Sequence, residues 1–195
     1  MSEQLQRALA AMGLVLLAPV LLAVALAVLL FSGRPVLYAG ERVGKNGETF
    51  TQVKFRTMIQ GADNRLSSEL GKPQAERVTR VGSFLRKSSL DELPQLLNVV
   101  RGEMALVGPR PLLPLIAERI PSDHQRFAVL PGITGLAQIS GRNMLAWSKR
   151  LEMDAEYVEK RAFSTDLKIL WLTLARVAKA SDIAPDRNTD QVLDI

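Results

Sequence analysis

The sequence predicts a mostly helical α+β chain, and three observations carry that reading. An uncharged apolar segment near the N-terminus is interrupted by a proline. Asn46-Gly47 separates two short runs that alternate like strands. Apolar residues then recur at helical spacing from Leu90 and again from Asp166. These features divide the chain into an anchor over residues 1–33, a folded part over 34–180 and a flexible tail over 181–195.

The apolar segment "ALAAMGLVLLAPVLLAVALAVLLF" runs from Ala8 to Phe31 without a charge. Its roughly 24 residues are enough to cross a bilayer as one helix. Pro19 in the middle lacks an N–H and clashes with the carbonyl four residues back, so the helix must kink or break there. Each half is then about 12 residues, or ~18 Å of helix, against ~30 Å of hydrocarbon. Two arrangements follow: a kinked single span, or a helix-break-helix that enters and leaves by the same face. Arg34, Arg42 and Lys45 place the C-terminal flank on the cytoplasmic side. "FSGRPVLYAG" is a poor signal-peptide cleavage site.

The stretch "PVLYAGERVGKNGETFTQVKFRTM" reads as a β-hairpin turning at Asn46-Gly47. On its return strand Gln52, Lys54 and Arg56 share one face and Val53 and Phe55 the other. The following "GADNRLSSELGKPQAER" is polar and loop-like, with room for a short helix. From Leu90, the residues Leu93, Leu96, Leu97 and Val100 predict a helix that Gly102 can end, with Asp91, Gln95 and Asn98 as its polar stripe. Pro94 distorts its start. In "LVGPRPLLP", Arg110 stands between two prolines and is presented from stiff, extended backbone. "LPGITGLAQISGRN" is a glycine-rich connection ending near Arg142. Two helices close the chain. The second, from Asp166, carries Leu167, Leu170, Trp171, Leu174 and Val177 on one face with Lys168, Arg176 and Lys179 beside it. Such a helix can lie in a bilayer interface or cover a core.

Composition narrows the chemistry. The 195 residues are 47% apolar, carry a net charge of +5 and include no Cys and one His, His124. Thiol nucleophiles, disulfides and multi-His metal sites are excluded, so reactive chemistry falls to Asp, Glu, Ser, Lys or Tyr. The positive balance suits an anionic partner. Aromatics at 5% leave no basic stripe with interleaved rings, so no nucleic acid is expected.

The adjacent acids Asp91 and Glu92 in "KSSLDELPQLLNVV" admit two readings. Ser89 and Glu92 have the spacing of a capping box, in which case the pair only starts a helix. Alternatively, with Lys54, Arg56, Arg86, Lys87 and Arg110 also in the chain, the acids could work on a phosphorylated substrate, binding Mg²⁺ or attacking phosphorus.

The set "KFRTM", "RVTRVGSFLRKSSLDELPQLLNVVRGEMALVGPRP", "PGITGLAQISGRN" and "DLKIL", in this order behind an apolar segment with a central proline, resembles the bacterial sugar transferases, the small single-domain monotopic phosphoglycosyl transferases. The resemblance covers the chain from about Arg7 to Ala180. It implies a re-entrant membrane helix, a small β-hairpin and interfacial amphipathic helices, with 34–180 a cytoplasmic catalytic domain at the bacterial inner membrane. The implied reaction moves a sugar 1-phosphate from a UDP-sugar to undecaprenyl phosphate and releases UMP, the first membrane step of glycan assembly. The implied partners are nucleotide sugar, polyprenyl phosphate, bilayer and downstream glycosyltransferases, with self-association left open. Asp91 would be the nucleophile and Glu92 its assistant, both as Mg²⁺ ligands. Arg110, Arg86, Lys54, Arg56 and Arg142 would bind phosphate. Ala18-Pro19 falls at the membrane-helix break, where the family often has Ser-Pro, and "RALA" puts Ala10 where the family has an acid. The alternative is a catalytically inactive membrane-anchored scaffold of a glycan assembly complex.

Overall fold

The computed structural model describes residues 1–59, 77–141 and 145–179. Most of the polar stretch expected to be loop-like, the tail from 181 and Arg142 lie outside the described residues. The architecture is mostly helical with a small antiparallel hairpin, as expected, and one further short strand pair among the described residues.

Two helices open the chain, α1 (Glu3–Leu16) and α2 (Ala18–Ser32), with 14 and 15 residues. They meet at Leu17 with a bend of 64°. Pro19 sits in the first turn of α2, where its missing N–H costs nothing. No single helix among the described residues is long and apolar enough to cross a membrane. Each helix buries one side. Ala10 packs with Leu96, Val99 and Met104, and Val24 and Val28 pack with Phe55 and Leu85. Ala10 is fully buried, so the small residue there serves close helix packing. The other side leaves Leu16, Leu22, Leu30 and Phe31 between 63% and 77% exposed.

Strands β1 (Leu37–Val43) and β2 (Thr49–Phe55) pair antiparallel, Tyr38 opposite Lys54. The turn is a single 3₁₀ turn at Lys45–Gly47 with Asn46 at φ 58° and Gly47 at φ 75°, the left-handed pair that Asn-Gly favours. Helix α3 (Arg80–Ser88) starts at Thr79, whose hydroxyl accepts from Gly82 N. Here glycine is required: a Cβ on Gly82 would lie 2.0 Å from the Thr57 carbonyl oxygen. A 3₁₀ segment, Leu90–Gln95, leads into α4 (Leu96–Arg101), which Gly102 ends at φ 83°.

A second, parallel pair was not legible in the sequence. Strands β3 (Ala105–Val107) and β4 (Gly132–Thr134) are three residues each. Gly108 packs backbone to backbone on this pair; a Cβ there would lie 2.5 Å from Leu130 O. The glycine-rich connection therefore serves close chain packing. Short helices α5 (Pro114–Ala117) and α6 (Leu136–Ser140) precede α7 (Trp147–Glu159) and α8 (Phe163–Lys179). Helix α8 turns Asp166 and Ile169 inward and holds Phe163, Leu167, Trp171 and Leu174 outward, each more than half exposed.

Candidate active site

The acidic pair lies on the 3₁₀ segment, and its local backbone departs from the sequence expectation. Ser89 adopts the left-handed conformation, φ 56°, and makes no side-chain cap. The expected capping box is therefore absent; Glu92 N bonds the Ser89 carbonyl, 3.2 Å. The helix expected from Leu90 becomes α-helical only at Leu96. The cause is Pro94, which would strike the Leu90 carbonyl in an α-helix and fits the tighter turn instead. Successive residues of a 3₁₀ turn point ~120° apart, so Asp91 and Glu92 face different neighbours.

The polar stripe on this element turns inward onto β2. Gln95 Oε1 accepts from Gln52 Nε2 at 3.0 Å. Asn98 Oδ1 accepts from Val53 N at 3.0 Å, and its Nδ2 donates to Thr51 O at 2.7 Å. Both amides are fully buried, and they fix the acidic turn against the hairpin.

Glu92 is gripped by two cations through one oxygen. Its Oε1 accepts from Lys54 Nζ at 3.1 Å and from Arg110 Nη2 at 2.9 Å. Burial alone would raise the Glu92 pKa, but Arg110 and then Lys54 outweigh it and hold the carboxyl well below its usual range. Asp91 differs. It is buried, yet none of the hydrogen bonds or ion pairs among the described residues reaches its carboxylate. Burial, and then the Glu92 charge, push it up to about 6 against the pull of Lys54, Arg86 and Arg110. Two adjacent carboxylates thus have opposite environments, a division expected where one must react and the other must orient.

Arg86 lies beside Asp91 with its Nε on Thr57 Oγ1 at 2.9 Å. Arg110 stands on a loop braced on both sides: Gly132 N donates to Pro109 O, and Leu112 exchanges two backbone bonds with Val43. Lys54, Arg86 and Arg110 therefore converge on the acids as expected. Arg56 does not. Strand β2 ends at Phe55, and the buried Arg56 guanidinium donates to the carbonyls of Ser32 and Gly33. It caps the end of α2, where unpaired carbonyls and the helix dipole favour a cation. Arg42 was missed as a site residue. Burial lowers its pKa, the Tyr38 hydroxyl holds it, and it feels the Arg110 charge. Strand alternation could have found it: Tyr38 and Arg42 share one face of β1 with Lys54 across the pair. The single histidine has a backbone task, accepting from Arg126 N at 3.1 Å.

Among the described residues no group of three or more His, Asp or Glu side chains could hold a metal alone. The arrangement fits a hard divalent ion of the Mg²⁺ kind only as a shared guest. Asp91 has an unclaimed carboxylate, and both bonds to Glu92 fall on Oε1, leaving Oε2. Such ions commonly take one or two carboxylates and complete their shell with substrate phosphates and water.

The bent pair of apolar helices and the acidic pair with its surrounding cations lie in a chain of the bacterial sugar transferase family. The chain belongs to that family, whose pattern matches residues 1–180. It is 47% identical over 155 residues to an uncharacterised sugar transferase of Bacillus subtilis, covering 77% of this chain and 74% of that protein. It is 40% identical over 156 residues to an undecaprenyl-phosphate galactose phosphotransferase of Salmonella typhimurium, covering 72% and 33%. It is 38% identical over 178 residues to a UDP-glucose:undecaprenyl-phosphate glucose-1-phosphate transferase of Xanthomonas campestris, covering 87% and 37%. The chain thus spans most of the first relative and about a third of the longer two.

Proposed function

We propose that this enzyme transfers a sugar 1-phosphate from a UDP-sugar to undecaprenyl phosphate, giving undecaprenyl-diphosphate-sugar and UMP. The observation that carries the reading is the split pair: Glu92 is held by Lys54 and Arg110, whereas no hydrogen bond or ion pair among the described residues holds the Asp91 carboxylate. An Asp91 carboxylate oxygen attacks the sugar-bearing phosphorus, and the bond from that phosphorus to the bridging oxygen breaks. UMP leaves with the electron pair. The resulting acyl phosphate is then attacked by an oxygen of undecaprenyl phosphate, and the Asp91 carboxylate departs. With a pKa of about 6, Asp91 is ionised at neutral pH and needs no separate base. Arg110, Lys54 and Arg86 bind phosphate oxygens, and Glu92 keeps two of these cations in place. When bound at Asp91 and Glu92, Mg²⁺ would supply charge neutralisation to the diphosphate.

The apolar outer faces support the membrane part of this reading. Each side chain of the size of Leu30 or Phe31 left in water forgoes about 1.5–3 kcal/mol that burial would gain. The bend at Leu17 favours a re-entrant pair with both ends on the cytoplasmic face of the inner membrane. Helix α8, with Trp171 and Leu174 outward, then lies along the interface. An inactive scaffold would need the anchor but no ordered acidic pair. The test is a panel of UDP-sugars incubated with undecaprenyl phosphate, scoring UMP release. Release with at least one sugar, lost in Asp91→Asn, supports the reading; no release with any sugar returns the scaffold.

A further inference from the structure

We propose that Arg126 and Asp154 form a buried brace that sets the position of Arg110, which makes them positioning residues for phosphate recognition. The proposal rests on the reading of Arg110 as a phosphate-binding residue.

Arg110 stands in "GPRP", and its two flanking prolines have no N–H. The loop therefore has few donors of its own, and its carbonyls must find partners elsewhere. Gly132 N satisfies the Pro109 carbonyl at 2.8 Å. The Arg110 carbonyl is satisfied by a side chain: Arg126 Nη2 donates to it at 2.5 Å. The other arm of the same guanidinium, Nη1, pairs with Asp154 Oδ2 at 3.0 Å. Arg126 and Asp154 are 5% and 3% exposed, so the contact is nearly dry. Asp154 comes from the middle of α7 and Arg126 from the 3₁₀ turn Gln125–Ala128. The chain of contacts runs Asp154, Arg126, Arg110 backbone, Arg110 side chain, Glu92.

A purely structural role is the competing account. Burying two charges is costly, and well-packed apolar residues of similar volume often replace such a pair without loss of stability. What apolar residues cannot replace is the fork geometry. A guanidinium holds a carboxylate and a carbonyl at once from one rigid plane, whereas a lysine ammonium offers a single point. That geometry is spent on a loop residue whose side chain grips Glu92. A displacement of about 1 Å at such a clamp is enough to slow a positioned reaction by ~100-fold.

The experiment is a double-mutant cycle on the full chain in lipid nanodiscs, read as kcat and KM for a UDP-sugar that the wild type turns over. Arg126→Met with Asp154→Leu removes both charges together and leaves no buried ion unpaired. Arg126→Lys is the second, milder variant, and thermal melting is recorded for each protein. The expected result is a loss of ~10-fold or more in kcat/KM for either variant in the wild-type background and less than ~2-fold in an Arg110→Ala background. Equal losses in both backgrounds, or no loss in the first, overturn the brace while leaving Arg110 as a phosphate residue. Full activity of Arg110→Ala alone overturns both.

Discussion

Arg110 and Glu92 are joined by one hydrogen bond of 2.9 Å, Nη2 to Oε1, although Arg110 is about half exposed and Glu92 mostly buried. Before substrate arrives, the cation is already held at the acidic pair. Incoming phosphate oxygens then meet a guanidinium that need not be ordered from solution, which saves side-chain entropy at the moment of binding.

Arg110→Lys should therefore lose activity without loss of fold. Lysine keeps the charge but cannot serve Glu92 and a phosphate together in one plane. The expected loss is ~10–100-fold in kcat/KM, mostly as raised KM for the nucleotide sugar, with a melting temperature within a few degrees of wild type. Unchanged kinetics would shift the phosphate clamp to Arg86 or Arg42.

Asp91 yields a covalent and a pH prediction. UDP-sugar alone should release up to about one equivalent of UMP and leave an intact-mass adduct of one sugar phosphate on Asp91. Asp91→Asn should abolish both. Glu92→Gln should slow the burst and the turnover by loosening Lys54 and Arg110, and should still form the adduct. Absence of any adduct, with normal turnover when both substrates are present, would instead favour direct attack by the lipid phosphate.

The same residue links pH to stability. Its carboxyl sits at about 6 in the fold against an ordinary 3.8, so the folded state favours the protonated form. The favourable contribution is complete below pH ~4 and is lost as pH rises through about 6. Asp91→Asn removes the buried charge and should stabilise the protein at pH 7.5 by roughly 1–3 kcal/mol, a gain that disappears towards pH 4. The adduct-forming rate of the wild type should fall in the same window as pH decreases. Urea unfolding of the two proteins at several pH values measures the stability difference; a constant difference contradicts the assignment.

Topology is open to labelling because the chain has no cysteine. Single cysteines at Ser2 and Ser32 should both react only from the cytoplasmic side. Periplasmic labelling at position 2 would make the pair a kinked span. Pro19→Leu allows the helix to continue through the bend and should move part of the population to that form.

Turnover should require a divalent cation and stop in excess chelator, with Mg²⁺ restoring it better than Ca²⁺ because the smaller ion suits a site of few protein ligands and retained water. Full turnover under chelation would leave Asp91 and Glu92 as purely organic groups.

Local chemistry made part of this molecule legible in advance. Asn-Gly specifies its own turn, Pro19 breaks its own helix and Gly102 ends another, and each signal acts within a few residues. The clustering of Lys54, Arg86 and Arg110 around Asp91 and Glu92 was legible as well. What escaped depends on distant partners. Ser89 looked like a cap, but the reversal between α3 and the 3₁₀ turn forces it into left-handed backbone. Strands β3 and β4 are too short for periodicity to register. Strand alternation puts Arg56 on the face of Lys54, yet the strand ends between them and the α2 carbonyls claim it. Arg126 and Asp154 carry no motif, and their pairing exists only after the loop, the 3₁₀ turn and α7 have come together.

The neighbours Lys54 and Arg56 also set a height. One reaches Glu92 and the other the last carbonyls of α2, and two residues of extended chain span at most ~7 Å. If α2 surfaces at the headgroups, as proposed, the reactive carboxylates ride at a built-in altitude above the hydrocarbon. A carrier lipid then presents its phosphate at the level where it already rests. Its tail never has to leave the oil, and the desolvation that extracting a long isoprenoid would incur is avoided by architecture alone.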